Sequence, residues 1–345
     1  MNRFAYARAE TWSQARDLLG DRRFSLPVLK GGGLDLVDQM KEGILEPDLL
    51  VDVRGAGAVG EDGQRRGEQP EPIRMSDRWG RPLVSITPSA TLAEIAASPL
   101  VRERAAALAQ AAESAATPQV RNVATIAGNL LQRPRCWYFR HDEFNCLKKG
   151  GSTCFAVDGE NAYHAIFGGG PCHIVHPSNV ACAMAALGGY VDGFGVPDEA
   201  RSIEGLFHLP DQGVRTEHNL PAGAVLTHIG VEPWAVSGFH AIKAKQSFDW
   251  PLAMAAVGLR VEGGRIASAR VCAGAVAPVP WMLPDVAGAL VGVSTDDDLA
   301  IERACAGAAQ GAAPMSQNGY KARLLPVAVQ RAVLRALGRL AEELA

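Results

Sequence analysis

Arg121-Asn122-Val123-Ala124-Thr125-Ile126-Ala127-Gly128-Asn129-Leu130 follows an Ala-rich stretch, residues 102–115, that reads as a helix. The ten residues mix small, polar and glycine positions. Thr125 and Asn129 bring a hydroxyl and an amide that can hydrogen-bond a ligand, while Ala127 and Gly128 leave room beside them. Taken alone, the segment reads equally well as an ordinary Asn/Gly loop. Its surroundings give it weight.

Upstream, Leu26-Pro27-Val28-Leu29 is a short apolar strand, Lys30-Gly31-Gly32-Gly33 a turn, residues 34–40 a helix and Leu49-Leu50-Val51-Asp52-Val53 a second strand. Together they form a small βαβ unit. Three glycines between a strand and a helix allow the backbone to approach a phosphate, with the helix N-terminus adding partial positive charge. The pattern is neither G-x-G-x-x-G nor a P-loop, and a plain tight turn accounts for it as well. Residues 55–69 are polar and Gly-rich, as in a linker. Thr91-x-x-Glu94 matches a capping box before a short helix that Pro99 interrupts.

Downstream, five of the seven cysteines, Cys136, Cys146, Cys154, Cys172 and Cys182, fall within 47 residues. In a reducing compartment such a cluster reads as metal binding before disulfides. Nine, seven and seventeen residues separate the first four. Four thiolates suit tetrahedral zinc or a [4Fe–4S] cluster. The absence of a C-x₂-C pair argues against a zinc ribbon, but His141, His164, His173 and His176 lie in the same stretch and keep a Cys/His zinc site open. Cys182 falls among Ala181, Ala183 and Met184 in a helix spanning residues 178–187 and reads as core, like Cys272 and Cys305. His176-Pro177-Ser178-Asn179 opens that helix, with Ser178 as N-cap and Gly188 beyond its end.

Past residue 233 the character changes. In Lys243-Ala244-Lys245-Gln246-Ser247-Phe248-Asp249 the two lysines, placed on a strand, share a face. They suit a phosphate or a cofactor carbonyl, or simply solvent. Residues 255–261 and 265–273 read as strands around Gly263-Gly264, and residues 327–344 as an amphipathic helix. The main boundary is expected near residue 235, and the order of elements gives an α+β architecture.

The chain has 345 residues, 48% of them hydrophobic and 21% charged, enough for two or three domains with substantial cores. Its net charge of −3 favours neither nucleic acid nor an anionic membrane. No apolar run reaches the roughly 18 residues of a membrane span, and Met1-Asn2-Arg3-Phe4-Ala5-Tyr6 lacks the apolar stretch of a signal peptide. A cytoplasmic protein is expected, or a periplasmic one if a partner carries the export signal.

Arg121-Asn122 with Thr125-Ile126-Ala127-Gly128-Asn129-Leu130, together with His176-Pro177-Ser178-Asn179 and the Gly-rich loop, resembles the flavin motif of the FAD-binding subunits of the xanthine dehydrogenase family. The resemblance runs through Asn318-Gly319-Tyr320-Lys321-Ala322-Arg323. It implies a two-lobed FAD domain of the vanillyl-alcohol-oxidase (PCMH) type over residues 1–234, with lobe one at about 1–55 and lobe two at about 60–234. A C-terminal domain like that of carbon monoxide dehydrogenase flavoproteins would occupy residues 235–345. It also implies FAD contacts from Leu29, Lys30, Gly31, Gly32, Gly33, Leu34, Asp35, Asn122, Thr125, Ala127, Gly128, Asn129, Leu131, His176, Ser178, Lys243 and Lys245.

Gln132-Arg133-Pro134-Arg135-Cys136-Trp137-Tyr138-Phe139 is similar to the start of an inserted loop in the flavin subunits of 4-hydroxybenzoyl-CoA reductase and of the periplasmic aldehyde oxidoreductase type. That likeness makes residues 132–175 a [4Fe–4S] loop with Cys136, Cys146, Cys154 and Cys172 as ligands. The family usually has Thr or Ser where Leu34 stands, Asp where Asn179 stands and Lys where Ala241 stands. The resemblance implies an electron-transfer subunit of a molybdenum hydroxylase. Partners would be a molybdopterin-binding large subunit, a [2Fe–2S] small subunit and an external electron acceptor, with no catalytic acid or base in this chain. A flavin-poor, zinc-stabilised structural subunit is the alternative.

Overall fold

The computed structural model describes residues 1–56, 71–78, 80–245 and 248–340. Most of the expected linker at 55–69, Gln246-Ser247 of the lysine segment, and the end of the expected helix at 327–344 lie outside the described residues.

The first unit comprises β1 (Ala5–Arg8), α1 (Trp12–Leu19), β2 (Pro27–Lys30), α2 (Leu34–Lys41) and β3 (Leu49–Asp52). Its sheet is parallel, in the order β1-β3-β2. The expected βαβ unit is present, and β1 with α1 extends it on the far side of β3. All four residues of β3 are buried because both sheet faces are covered. Val51 and Leu49 pack with Ala9 and Ala15 on one face, and Leu50 packs with Leu36 and Met40 on the other. Asp52 ends β3 at 1% exposure. It accepts from Tyr6 of β1 at 2.6 Å and from Arg54 at 2.7 Å, and Lys30 of β2 lies 3.4 Å away. One carboxylate thus joins all three strands.

The second unit holds β4 (Ile73–Arg78), β5 (Arg81–Ile86), α3 (Leu92–Ala97), α4 (Pro99–Arg104), α5 (Ala106–Ser114), α6 (Pro118–Arg121), α7 (Ile126–Leu130), α8 (Trp137–Arg140), α9 (Asn179–Ala186), β6 (Tyr190–Phe194), α10 (Ile203–Leu206) and β7 (Val225–Val231). The sheet is antiparallel, in the order β4-β5-β7-β6. Both bonds of the Thr91–Glu94 capping box form. Every residue of α9 is buried, which places Cys182 in the core.

The single helix expected over 102–115 is instead two helices broken at Ala105. The reason lies far along the chain. Trp234 N–H donates to the Arg104 carbonyl at 2.6 Å, and Ser237 Oγ accepts from Ala107 N–H at 3.2 Å, capping α5 from outside.

The third unit is an antiparallel sheet of β8 (Val236–Ile242), β9 (Ala253–Glu262), β10 (Arg265–Gly274) and β11 (Trp281–Met282), in the order β11-β10-β9-β8. Three helices follow: α11 (Pro284–Leu290), α12 (Asp298–Cys305) and α13 (Tyr320–Ala336). The expected strands around Gly263-Gly264 are β9 and β10. The expected C-terminal helix begins earlier than its pattern suggested, because α13 carries Pro326 internally, and it also ends earlier, at Ala336, with Gly338 at φ +68° just beyond. A proline normally marks a helix limit. Here Leu325, Ala328, Val329 and Val333 bury the helix face against the sheet and hold it through the lost hydrogen bond. Lys243 and Lys245 lie beyond the end of β8 and so do not share a strand face as expected. Among the described residues, no helix is long and apolar enough to cross a membrane.

Candidate cofactor sites

A cavity of about 690 Å³ opens between the first unit and the helices of the second. That lies within the roughly 300–1,000 Å³ usual for ligand sites. Residues 29–35 form one wall, and Thr125, Ala127, Gly128, Asn129 and Leu131 form another.

The three glycines of the loop each meet a different constraint. A Cβ on Gly32 would stand 2.1 Å from the Val123 carbonyl oxygen, and one on Gly31 would stand 2.7 Å from Thr125 Oγ1. Gly33 has φ +80° and N-caps α2. The loop is therefore pressed directly on the turn that starts α7, which a side chain would prevent. Among the described residues, no protein acceptor takes the N–H groups of Gly31, Gly32 or Gly33. These donors, next to a helix N-terminus, suit an anionic ligand.

Thr125 caps α7, its Oγ1 accepting from Gly128 N–H at 3.2 Å. Ser178 donates to Asn129 Oδ1 at 2.6 Å and accepts from Ala181 N–H at 2.9 Å. Asn129 is thereby oriented, with no protein partner for its amide nitrogen among the described residues. Ser178 shapes the cavity through Asn129 and does not line it.

Other expected contacts fall elsewhere. His176 is buried, edge-on to Phe207 at 4.3 Å, and burial followed by the nearby His218 pushes its pKa down to about 3. Asn122 is exposed at the end of α6. Lys243 donates to the Ser114 carbonyl at 2.9 Å and Lys245 is exposed; neither lines the cavity. Lys30 and Asp35 do line it, but both already have partners. Lys30 pairs with Asp52, and Asp35 accepts from Gln39 at 2.7 Å and from Arg140 at 2.6 Å. Leu34 sits at the rim, 43% exposed, and brings no hydroxyl.

The four candidate cysteine ligands are brought together. Cys136, Cys146, Cys154 and Cys172 line one small void with Tyr138, Phe139, Lys148 and His164, and all four are free thiols. The void measures about 10 Å³ at van der Waals contact. Metal–thiolate bonds of about 2.3 Å lie well inside that contact distance, so the void understates what bonded sulfurs can hold. Among the described residues, no three His, Cys, Asp or Glu side chains converge tightly enough for a single metal ion. A four-iron cube is larger and takes its thiolates at separate corners.

Local geometry explains the convergence. A Cβ on Gly151 would stand 1.7 Å from the Asn145 carbonyl oxygen, so only glycine permits the tight return that brings Cys154 beside Cys146. Tyr138, Phe144 and Phe155 pack ring against ring at 5.0–6.0 Å and brace the loop. Burial pushes the Cys136 thiol up to about 11, and His164 Nε2 lies 3.3 Å from its sulfur. Cys154 and Cys172 interact, and contact with Cys172 lowers the Cys154 pKa while the Cys172 thiol is raised.

Two features escaped the sequence reading. The first is a latch: Arg140 and Arg135 both pair with Asp35 and Asp38, fixing the cysteine loop to α2. The second is a charged row between the two sites. Lys148, lining the cysteine void, donates to Glu217 at 2.6 Å, and Glu217 lies 2.7 Å from Nε of Arg133, which lines the large cavity. The partners lie 69 and 84 positions apart, so no local pattern signals them. Phe248 and Trp250 also line the large cavity, with Arg135 stacked over Trp250 at 5.1 Å.

Residues 81–262 match the family described as FAD binding domain in molybdopterin dehydrogenase, and residues 237–336 match CO dehydrogenase flavoprotein C-terminal domain. The chain is 31% identical over 290 residues to the aldehyde oxidoreductase FAD-binding subunit PaoB of Escherichia coli (strain K12), covering 82% of this chain and 84% of that protein. It is 28% identical over 130 residues to the nicotinate dehydrogenase FAD-subunit of Eubacterium barkeri, covering 38% and 39%. Among solved structures, it superposes at TM-score 0.69 and 23% identity on carbon monoxide dehydrogenase from Hydrogenophaga pseudoflava lacking the Mo-pyranopterin moiety, over 99% of each chain. Quinoline 2-oxidoreductase from Pseudomonas putida 86 gives TM-score 0.68 at 21% identity, also over 99% of each. At that identity the structural likeness establishes the fold, an α+β FAD-binding architecture with the appended C-terminal domain.

Proposed function

On the premise that the chain belongs to the family of FAD-binding domains in molybdopterin dehydrogenases, we propose that it binds FAD in the large cavity and a [4Fe–4S] cluster on Cys136, Cys146, Cys154 and Cys172. It would serve as the electron-transfer subunit of a molybdenum hydroxylase complex. Substrate chemistry belongs to another subunit of such oxidoreductase complexes. A molybdopterin-binding subunit and a [2Fe–2S] subunit are the proposed partners, and an external carrier takes the electrons. Among substrate classes we favour aldehydes, the class in the name of PaoB. The division at residue 235, with lobes meeting at the cavity, and a cytoplasmic location are part of the same reading.

One observation carries it: the four cysteines named from the sequence line a single void, and a roomy cavity stands beside it on the glycine loop. Bound FAD exchanges electrons in pairs or singly and so links one-electron clusters to two-electron acceptors. The chain's own residues hold and orient it. The N–H groups of Gly31, Gly32 and Gly33 would receive the pyrophosphate, and the absent side chain at Gly32 lets the loop seat against Val123, where a Cβ would clash. The Asn129 amide, fixed by Ser178, would contact the flavin end. With Leu34 lacking a hydroxyl and Lys30 held by Asp52, phosphate binding falls to backbone donors.

The test is the visible spectrum and the metal content of the anaerobically purified chain, before and after dithionite. Flavin peaks over a broad shoulder, with about four irons per chain, are expected for a Cys₄ cluster. Flavin with no iron would sink the cluster, one zinc in its place would favour the zinc-stabilised alternative, and a colourless protein would leave only the fold.

A further inference from the structure

We infer that Arg133, Glu217 and Lys148 form a fixed-charge bridge that sets the potentials of the two redox groups, each cation raising the potential of the group on its own side and Glu217 lowering both. The inference rests on the FAD-plus-cluster reading above.

Lys148 and Glu217 are almost wholly buried, their side chains 2% and 5% exposed, and Arg133 is 25% exposed. Lys148 Nζ donates to Glu217 Oε1 at 2.6 Å and to the Val214 carbonyl at 2.8 Å. Arg133 Nη2 donates to the Arg215 carbonyl at 2.8 Å and to Glu217 Oε1 at 3.3 Å, while its Nε makes the close ion-pair contact with Oε2. The guanidinium also lies over the Phe139 ring, 4.8 Å from its centroid. Phe139 in turn lines the cysteine void, so the row occupies the wall between the two sites.

Two cations flank one anion, which leaves a net positive charge. The cations are outermost: Lys148 faces the thiols and Arg133 faces the large cavity, with Glu217 between them. Adding an electron to either group makes it more negative, and a cation close by favours that state. Charges this buried are weakly screened by solvent and salt. Net charge beside a cluster is one of the levers on its potential. Stability alone is a poor account of the arrangement, since a buried ion pair is often no better than an apolar replacement of equal volume.

The experiment is a redox titration of the full-length, reconstituted chain, reading the cluster by electron paramagnetic resonance and the flavin by absorbance. The double variant K148Q/E217Q removes the near cation and its counter-charge together and leaves Arg133 as the one remaining ion of the row, 25% exposed and still bonded to the Arg215 carbonyl. It should lower the reduced-to-oxidised ratio of the cluster about tenfold at fixed potential, ~59 mV for a one-electron couple, because the removed cation is the nearer charge. R133Q should lower the flavin potential and leave the cluster nearly in place. E217Q alone should raise both. This reversal of sign separates electrostatics from loosened packing, which would move all three variants alike. Unchanged potentials, or shifts of one sign in all three at full iron and flavin content, would overturn the inference alone. A wild-type chain holding FAD but no iron would overturn both the inference and the reading beneath it.

Discussion

Arg140 and Asp35 lie 105 residues apart in sequence and 2.6 Å apart in space, joining the cysteine loop to the helix that follows the glycine loop. Arg140 is only 9% exposed and also reaches Asp38 and the carbonyls of Pro134 and Arg133. Neither site is therefore an independent module. Truncating Arg140 to alanine should destabilise the protein by about 2–4 kcal/mol, as for one partner of a mostly buried pair. It should also speed loss of flavin during gel filtration. Wild-type flavin retention with unchanged melting would show that the latch is ornamental.

Gly32 has no freedom to grow. A methyl group there would meet the Val123 carbonyl oxygen, a backbone atom that cannot swing aside. Gly32→Ala should therefore separate the loop from α7 and weaken FAD binding at least about tenfold, the equivalent of ~1.4 kcal/mol. Gly43→Ala is the control: it shares the left-handed backbone strain seen at Gly33 but has nothing within 4 Å. It should cost about 1 kcal/mol of stability without altering flavin affinity, as followed by fluorescence quenching.

The cysteines divide into two groups by position. Cys154→Ser should abolish most of the iron content and the broad visible absorbance, because metal binding and loop order are coupled. Cys182→Ser should leave iron untouched, since Cys182 is buried in α9 and donates to the Cys272 carbonyl. Equal iron loss in the two variants would refute the ligand assignment.

Acid should unfold the protein early, and the sign follows from the histidines. His176 and His240 are buried, and desolvation holds their pKa values down to about 3 and about 4. The unfolded chain, with histidines near 6.5, takes up protons that the folded chain refuses. Stability is complete above pH ~6.5 and falls as pH drops towards the folded values, by up to ~1.4 kcal/mol per pH unit per histidine. Asp52 adds a later step. Burial alone would raise its carboxyl, but Arg54, Tyr6 and Lys30 outweigh that and hold it well below the usual range. Its contribution is lost only below the ordinary aspartate value of ~3.9. Urea midpoints measured from pH 7 to 4 should decline steadily, and His176→Leu should flatten the slope. A pH-independent midpoint over that span would contradict this account.

What could be read from the sequence was chiefly local. The Thr91 capping box, the Ser178 cap and the Gly263-Gly264 turn each depend on residues within a few positions, and all formed. The glycine loop was legible as a strand–helix turn, and its contact with Val123 was not, because nothing in Lys30 to Gly33 encodes a neighbour some 90 positions on. The break at Ala105 depends on Trp234 and Ser237. Lys243 and Lys245 were misplaced because an alternation of period two continues past the last ladder bond of β8. The cysteines could be grouped by spacing and likeness. Lys148, one position among many basic ones, gained meaning only when Glu217 stood opposite it.

The parallel sheet of the first unit is complete by Asp52, long before the chain reaches Arg140. During synthesis at about 5–20 residues per second, the 105 residues from Asp35 to Arg140 take roughly 5–20 s to emerge. Residues 123–131, which form the wall facing the glycine loop, emerge just before Arg140, and Phe248 and Trp250 of the same cavity emerge later still. The glycine loop is thus made long before the cavity around it, and the cavity closes only after the cysteine segment has been latched to α2.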